Sequence, residues 1–365
     1  MILKISFAIL IIVGITLSCA QNIGEWKGDI EVRDGITIVK NPKEPIYSRD
    51  VLSLKEELSL GEVTKYQSLF YAVKELDVDD EENIYVLDWM AGHIVVFSQK
   101  GDVLRTIGRK GQGPGEFERP MDISIFGNHL MVHDLERGIS SFTLKGEFIK
   151  SITSIDILSI WDFYCDSLGN IVVQNSPVFD PQNPKQVYRK YDHNMKMIFQ
   201  FAESPRSGGL GPNNPFGAIG SIALDREDNI IFGYPKDYII EVFNANGKLI
   251  RKIEREYSPL KLTNLDRREM KEANPGRADI DYPKYKPPFR RFFIDDEGRI
   301  YVGTWEKPDR SKSYYDIFNP EGKYLAKIGL KGKPIMCRNG KMYSIESNDE
   351  GDQFVKRYKM IWRRP

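Results

Sequence analysis

Histidine and cysteine are scarce in this chain of 365 residues, which has four histidines and three cysteines. So few histidines leave a three-histidine zinc site without support. The sequence has no Gly-x-Ser-x-Gly elbow and no cysteine–histidine pair, so nothing indicates a nucleophilic hydrolase. The net charge is zero and no basic cluster stands out, which argues against a nucleic-acid partner.

The N-terminus carries a long apolar run, Ile5–Leu17, which follows Lys4. Its thirteen residues are too few to form a stable membrane span. Cys19 directly follows the small Ser18, and the segment resembles a bacterial lipoprotein signal. We therefore predict a lipoprotein signal peptide at residues 1–18, lipidation at Cys19 and a tether at residues 19–28. An ordinary secretory signal, cleaved near Ala20, is the alternative.

A glycine-rich stretch, Ile107–Asp122, organises the rest of the chain. Its glycines and Pro114 predict a sharp loop between strands. It is not a phosphate loop, because it lacks the Gly-Lys-Ser/Thr ending. Gly61–Phe70 repeats the spacing of Gly108–Phe117, and a longer copy spans Ala202–Ser221. The stretch therefore belongs to a repeat.

The repeat predicts an all-β fold. A β-branched strand pattern recurs six times at intervals of 41 to 70 residues, and in four of the copies a tight acidic turn precedes it. Four-stranded units of about 40–50 residues are typical of β-propellers. We predict a six-bladed β-propeller of four-stranded antiparallel blades over residues 29–365, with blades near 71–107, 119–152, 161–201, 219–253, 289–328 and 334–362.

The last copy lacks a fourth strand, which would leave an open sheet edge. Leu58–Leu60 aligns with the fourth strands of other copies and precedes the first copy. We therefore expect the N-terminal segment to close the ring, and Ile36–Val39 to add a further strand there. An insertion near 260–275 predicts a short helix, with Thr263 or Asn264 as its cap.

Several motifs resemble those of NHL-repeat propellers: GQGPGEF at Gly111–Phe117, NIYVLD at Asn83–Asp88, and an IxxFxxxG unit at Ile94–Gly101. The resemblance is closest to the six-bladed lipoprotein propellers common in Bacteroidetes, and it covers Ser53 to about Tyr358. It implies a fold but no single activity. The residues after Cys19 lack the acidic run of a surface-export signal, so we prefer a periplasm-facing domain to a surface-exposed one.

Loop lengths predict a binding face. In a propeller, the second-to-third loops of the blades and the links between blades share one face, and here these connections are long. The segments are Asn175–Gln186, Ala202–Gly220, Glu254–Pro288, Thr304–Ser313 and Glu346–Gln353. We expect Trp89, Trp305, Tyr314 and Arg291 to contact a ligand on this face. The alternative is that the aromatic side chains only pack the loops onto the ring.

A second candidate site lies at the mouth of the central channel. Glu75, Asp122, Asp162 and Ser221 begin or closely follow the start of innermost strands, and Arg291 is aligned with them. Oxygen ligands of this kind suit Ca²⁺. A hydrated polar channel is the preferred interpretation, so we expect no cofactor and keep calcium on Glu75, Asp122 and Asp162 as the alternative.

Other polar and thiol side chains receive structural roles. Asp88 and Asp134 end second strands in matching places and should accept hydrogen bonds from loop amides. Cys165 and Cys337 fall on equivalent innermost strands and are expected to be buried free thiols.

The favoured function is a lipid-anchored, non-catalytic binding or scaffold propeller of the bacterial envelope. Its partner would be a protein, a peptide or a carbohydrate, and the membrane would be contacted through the lipid anchor only. The alternative is a metal-dependent hydrolase or lyase, similar to gluconolactonases, that acts at the channel mouth with its carboxylates.

Overall fold

The computed structural model describes residues 24–47, 51–64, 67–153, 160–175, 185–205, 216–273, 282–309 and 311–363. The predicted signal peptide, Cys19 and the first half of the predicted tether lie outside these residues. Most of two predicted long loops, residues 176–184 and 206–215, also lies outside the described residues. No helix within the described ranges is long and apolar enough to cross a bilayer.

Twenty-eight strands and one helix make up the described fold, and five strands precede the first blade. These are β1 (Asp29–Arg33), β2 (Ile36–Asn41), β3 (Leu52–Leu60), β4 (Glu62–Thr64) and β5 (Gln67–Ser68). The short strands β4 and β5 pair with each other in the link to the first blade.

Six sheets, each with four antiparallel propeller strands, surround a central channel. In blades 1 to 5 the first of these four strands in sequence is the innermost one, and in blade 6 the outermost strand comes from the N-terminal side of the chain. Blades 1 to 3 contain β6 (Val73–Val78), β7 (Ile84–Asp88), β8 (His93–Phe97) and β9 (Val103–Ile107); β10 (Pro120–Phe126), β11 (His129–Asp134), β12 (Gly138–Thr143) and β13 (Phe148–Ile152); and β14 (Ile160–Cys165), β15 (Ile171–Asn175), β16 (Lys185–Tyr191) and β17 (Met197–Pro205).

Blades 4 and 5 contain β18 (Ser221–Leu224), β19 (Ile230–Gly233), β20 (Ile239–Phe243) and β21 (Leu249–Arg255); and β22 (Phe292–Ile294), β23 (Ile300–Gly303), β24 (Lys312–Phe318) and β25 (Tyr324–Lys331). Blade 6 contains β26 (Lys333–Arg338), β27 (Lys341–Ser347), β28 (Gln353–Trp362) and, as its outermost strand, β3. The structure is the predicted six-bladed β-propeller.

The acidic turns on one face explain why the repeat is so regular there. In the first blade, Oδ1 of Asp79 accepts a hydrogen bond of 2.8 Å from the backbone N–H of Asn83. A carboxylate that bonds the backbone a few residues later fixes such a turn. The same bond recurs in three other blades, at Asp166, Asp225 and Asp295. We call this side of the ring the turn face and the opposite side the loop face.

The glycine-rich stretch has a packing role as well as a turning role. Gly108 has a φ of +73°, and a Cβ added there would lie 2.2 Å from the buried ring of Phe117. Gly61 and Phe70 repeat the arrangement, with a corresponding distance of 2.4 Å. Each phenylalanine therefore covers a glycine, and the ring of Phe117 joins the core between blades 1 and 2. This contact accounts for the spacing seen in the sequence.

The predicted closure of the ring is confirmed. Strand β3 pairs antiparallel with β28, from Leu60 opposite Val355 to Leu52 opposite Trp362. Leu52 and Leu60 are both buried. The last blade therefore obtains its fourth strand from the N-terminal side of the chain.

The prediction that Ile36–Val39 would join this closure was wrong. Strand β2 instead pairs parallel with β21, so that the β1–β2 hairpin extends blade 4 to six strands. Asn41 holds it there, because its amide donates to Gly322 O at 2.8 Å and accepts from the Tyr324 N–H at 2.7 Å. These partners lie in blade 5, so β2 is fixed by contacts remote in sequence.

The insertion between blades 4 and 5 contains the helix α1 (Asn264–Ala273), as predicted. Thr263 caps it, since its Oγ1 accepts a bond of 3.2 Å from the Asp266 N–H while the Asp266 carboxylate accepts one from the Thr263 N–H at 2.8 Å. An ion pair between Lys286 and Asp266, 2.6 Å long, ties the helix to the returning chain.

Cys165 and Cys337 are both free thiols, as predicted, but only Cys337 is buried, whereas Cys165 is half-buried.

The prediction of a long loop at Glu346–Gln353 was wrong. A tight turn at Asn348–Asp352 joins β27 and β28, and the Asn348 side chain accepts a hydrogen bond from the Asp352 N–H in it.

The covered glycine yields the first prediction. Gly108→Ala should lower the free energy of unfolding by about 3 kcal/mol, because it combines a positive φ with a clash against Phe117. Gly340→Ala is the matched control: it has a φ of +67° and no atom within 4 Å of the added Cβ, so it should cost about 1 kcal/mol. Equal losses in urea denaturation of the two variants would contradict the packing role of Gly108.

Candidate functional site

A β-bulge near the start of an innermost strand positions each predicted channel carboxylate. The register of β6 shifts between Val73 and Glu75, and β10 and β14 show the same shift just before Asp122 and Asp162. A bulge adds one residue and re-aims the side chains that follow it. The three carboxylates therefore occupy equivalent places in blades 1, 2 and 3.

The three carboxylates lie close enough for the charge of one to shift the pKa of another. Burial raises the pKa of Glu75, against the positive charges of Lys333 and Arg291. Burial also raises the pKa of Asp122 well above its usual value, and the negative charges of Glu75 and Asp162 add to the effect. Burial raises the pKa of Asp162 too, opposed first by Arg291. The channel mouth is thus one interacting cluster of charges.

Cations balance the carboxylates of this cluster. Burial lowers the pKa of Arg291, but the negative charges of Asp162 and Glu75 outweigh it and raise the pKa overall. Burial lowers the pKa of Lys333, with Glu75 opposing, and its Nζ lies 3.4 Å from the Lys74 carbonyl oxygen. Protein atoms surround Arg291 inside the ring, yet its side chain is exposed to the channel, and the carboxylates are half-buried. Solvent in the channel therefore partly screens these charges.

Lys333 and Lys74 escaped the sequence analysis, and only Lys333 has a signal in the sequence. Lys333 begins the sixth innermost strand, and Lys74 is the extra residue of the bulge in the first. Counting all six innermost strands, rather than following carboxylates alone, would have found Lys333. Lys74 depends on the bulge, which the sequence pattern does not reveal.

Asp122 and Ser221 are also structural links between blades. The Asp122 carboxylate accepts from the Ile123 N–H at 2.9 Å and from the Phe163 N–H of the next blade at 3.2 Å. The buried Ser221 hydroxyl accepts from the Phe292 N–H of blade 5 at 3.4 Å. Within the described residues, no group of three histidine, cysteine, aspartate or glutamate side chains is placed to hold a metal ion.

The turn-face end of the channel continues this pattern with Asp77 and Ser124. Asp77 accepts from the Ile125 N–H of blade 2 at 2.6 Å, and Ser124 Oγ accepts from the Cys165 N–H of blade 3 at 3.0 Å. Burial raises the pKa of Asp77 to about 6, although the hydrogen bonds it accepts from the Ile125 and Val78 N–H groups and the charge of Arg338 act in the other direction. Polar side chains of the channel therefore tie neighbouring blades together.

The aromatic candidates of the loop face do not form one cluster. Trp305 and Tyr314 lie at the two ends of one connection in blade 5, Trp305 just after β23 and Tyr314 within β24. The Thr304 N–H donates to the Tyr314 carbonyl oxygen at 2.9 Å. Trp89 lies in blade 1, with blade 6 between, and is 39% exposed. Arg291 lies in the channel mouth rather than beside either tryptophan. The loop face thus offers Trp305 and Tyr314 as neighbours and Trp89 as an isolated ring.

Trp305 lines a cavity of about 340 Å³ between blades 4 and 5. Loop-face segments surround it: the start of the insertion after β21, its end at Pro287–Pro288, and the loop that follows β23. The N-terminal segment at Lys43–Pro45 and the strand β25 complete the walls. The sequence analysis found Trp305 but not this cavity, because its walls come from five separate segments of the chain.

A buried ionic network forms the floor of this cavity. Arg255, whose side chain is 8% exposed, pairs with the fully buried Asp316 at 3.2 Å. Tyr238 and Tyr324 both donate hydroxyl bonds to Asp316, at 2.7 and 2.5 Å, and their rings lie 5.1 and 4.4 Å from the Arg255 guanidinium. Arg255 is therefore held in place by both charge and stacking.

The structural roles predicted for Asp88 and Asp134 are confirmed. Asp88 accepts from the N–H groups of Tyr71, Ala72 and Ala91, at 2.7 to 3.1 Å. Asp134 accepts from four loop amides, those of Glu118, Arg119, Glu136 and Arg137. Both carboxylates fasten the glycine-rich links to the ends of second strands.

The raised pKa of Asp77 yields a prediction on pH dependence. Its folded-state pKa of about 6 exceeds the unfolded value of about 4, so the folded protein binds the proton more tightly. Stability contributed by this group is then lost as pH rises through that window. From pH 7 to pH 4.5 we expect the native protein to gain about 1–2 kcal/mol relative to Asp77→Asn.

Ser124→Ala serves as the control for this experiment, because it also removes a bond between blades but no titrating group. Its difference from the native protein should stay constant over the same pH range in urea denaturation. A constant difference for Asp77→Asn as well would show that this carboxyl does not titrate as stated.

Comparison with known proteins agrees with this architecture. A family model described as DUF5128, 6-bladed beta-propeller, matches residues 48–210. The solved structure of a Bacteroides fragilis protein described as exported is 13% identical, with 88% of this chain and 99% of that one covered and a TM-score of 0.55.

A member of the DUF4221 family from Bacteroides vulgatus is also 13% identical, with 85% and 99% covered and a TM-score of 0.54. No curated protein matches the chain. At these identities the two structures bear on the fold alone, and they are similar to this chain in being propellers.

Proposed function

We propose that this protein is a lipid-anchored, non-catalytic binding propeller of the bacterial envelope that recognises its ligand on the loop face. The observation that carries this proposal is the cavity between blades 4 and 5, which loop-face segments wall and Trp305 lines. Cavities walled by loops on a rigid scaffold are common binding sites.

The channel mouth supports binding or scaffolding more than catalysis. Asp122 already accepts two backbone hydrogen bonds, and Arg291 and Lys333 oppose the charges of Glu75 and Asp162. A general base needs a side chain free to reach a substrate proton. Carboxylates engaged in this way suit the joining of blades and the hydration of the channel.

The envelope location follows from the N-terminal signal and its cysteine. An NHL-like lipoprotein with Cys19 lipidated would stay with the membrane through its acyl chains. The Bacteroides fragilis protein of the same fold is described as exported, which agrees with this location. We prefer the periplasmic side, because no acidic run follows Cys19.

The anchor gives a direct prediction. Cys19→Ala should move the protein from the washed membrane fraction to the soluble fraction, because the variant has no thiol to acylate. Ser18→Ala is the matched control, since it keeps a small residue before the cysteine and should remain membrane-bound. Retention of Cys19→Ala on membranes, measured by fractionation and immunoblotting, would refute the anchor.

The competing function is a metal-dependent hydrolase or lyase that uses the channel carboxylates. A bound ion raises the melting temperature of the protein that holds it. We expect calcium to leave the melting temperature unchanged in both the native protein and the Asp122→Asn/Asp162→Asn variant. A rise in the native protein alone would favour the metal-dependent enzyme, and an equal rise in both would place an ion elsewhere.

A further inference from the structure

We propose that the cavity between blades 4 and 5 binds a neutral sugar of one or two rings. This inference rests on the proposed function, because it names the class of ligand for the loop face. The cavity measures about 340 Å³, near the lower end of the range of roughly 300–1,000 Å³ for small-molecule sites.

The charges that line the cavity favour a neutral ligand. Arg255 is paired with Asp316 at 3.2 Å, and Lys327 is paired with Glu306 at 2.6 Å. The remaining charged side chains, Lys43 and Glu44, are exposed and of opposite sign. An anion would meet Glu44 and Glu306, and a cation would meet Lys43, Lys327 and Arg255. A neutral molecule avoids both conflicts and leaves the pairs intact.

One exposed acceptor at the cavity favours a hydroxyl compound over an anion. The Glu44 carboxylate lines the cavity, is exposed and only accepts hydrogen bonds. A sugar hydroxyl can donate to this carboxylate, whereas an anion cannot. Arg255 Nε and Trp305 Nε1, which have no hydrogen-bond partner, lie behind the cavity surface and are not within reach of a ligand.

The apolar walls suit the hydrocarbon faces of a sugar. Tyr257 and Trp305 line the cavity with half-buried rings, and Trp305 is held by a ring contact with Phe216 at 5.0 Å. Aromatic rings with a polar edge provide a flat apolar surface beside hydrogen-bonding groups. The combination of flat rings, paired charges and an exposed accepting carboxylate suits a polyhydroxylated ring.

A peptide fits these walls less well. Peptides are often bound by adding a strand to a sheet edge, which requires backbone N–H groups on the protein. The cavity is lined by four prolines, Pro45, Pro259, Pro287 and Pro288, and none of them has an N–H to donate. The backbone around the cavity therefore offers little for a peptide to pair with.

The experiment measures binding of named probes to the purified protein by saturation-transfer NMR and calorimetry. The neutral probes are glucose, galactose, mannose, N-acetylglucosamine, maltose and cellobiose. Glucuronate, glucosamine and trialanine are the anionic, cationic and peptide probes. We expect at least one neutral sugar to bind, and to bind more tightly than the charged probes and the peptide.

Three variants test whether the sugar binds in the cavity between blades 4 and 5. Trp305→Phe replaces the wide indole of the cavity wall with a smaller ring, so it should weaken sugar binding roughly 3- to 10-fold. Glu44→Gln changes an exposed side chain and should weaken it by a similar factor without affecting the melting temperature. Trp89→Phe is the matched control, because Trp89 lies on the same face outside the cavity, and its binding should equal that of the native protein.

Three results would overturn the inference: no binding by any neutral sugar, tighter binding of a charged probe or of trialanine, or full sugar binding by both Trp305→Phe and Glu44→Gln. Trialanine binding that Trp305→Phe weakens would reject the sugar while leaving the proposed binding function in place. Turnover of a probe would reject the non-catalytic function itself, so the two failures can be told apart.

Discussion

The pairing of β3 with β28 is the constraint on which the ring depends. Without it, blade 6 would end in an open strand, and an open edge invites association with other chains. The nine residues of β3 come from the N-terminal side and meet the last strand of the chain along its length. All six blades can therefore pack side by side only when both ends of the propeller are present. The link from β3 into blade 1, with Phe70 over Gly61, continues the same closure.

Polar side chains in the channel have a structural use that competes with any chemical one. Asp77, Asp122, Ser124 and Ser221 each accept a backbone N–H from the neighbouring blade. Innermost strands run close together, and their side chains can satisfy amides that no sheet partner reaches. A ring of carboxylates at a channel mouth is therefore weak evidence for catalysis in this fold. Arg291 and Lys333 balance the charges of these carboxylates. Water in the channel lowers the free-energy cost of placing charged side chains inside the ring.

The loop face differs from the turn face in what its segments can build. On the turn face, strands are joined by two to five residues, and a cavity of about 230 Å³ there is lined by these short turns and the ends of innermost strands. On the loop face, the insertion between blades 4 and 5 folds back through α1 and Pro287–Pro288 over the outer part of the ring. The β1–β2 hairpin widens blade 4 nearby, and the segment that follows it supplies Lys43–Pro45 to the same cavity. Two additions to the basic propeller thus meet at one place.

The sequence by itself determined the local and repeated features. Alternating β-branched residues, acidic turns and the Gly108–Phe117 spacing were sufficient for the six blades, because each depends on residues near one another in the chain. The capping of α1 by Thr263 and the roles of Asp88 and Asp134 were predictable for the same reason. Only the tertiary structure decided where β2 pairs, how bulges bring Lys74 to the channel mouth, and that Trp305 lines a cavity with Arg255. Those outcomes depend on contacts between residues as far apart as Asn41 and Tyr324, whose geometry no local pattern encodes.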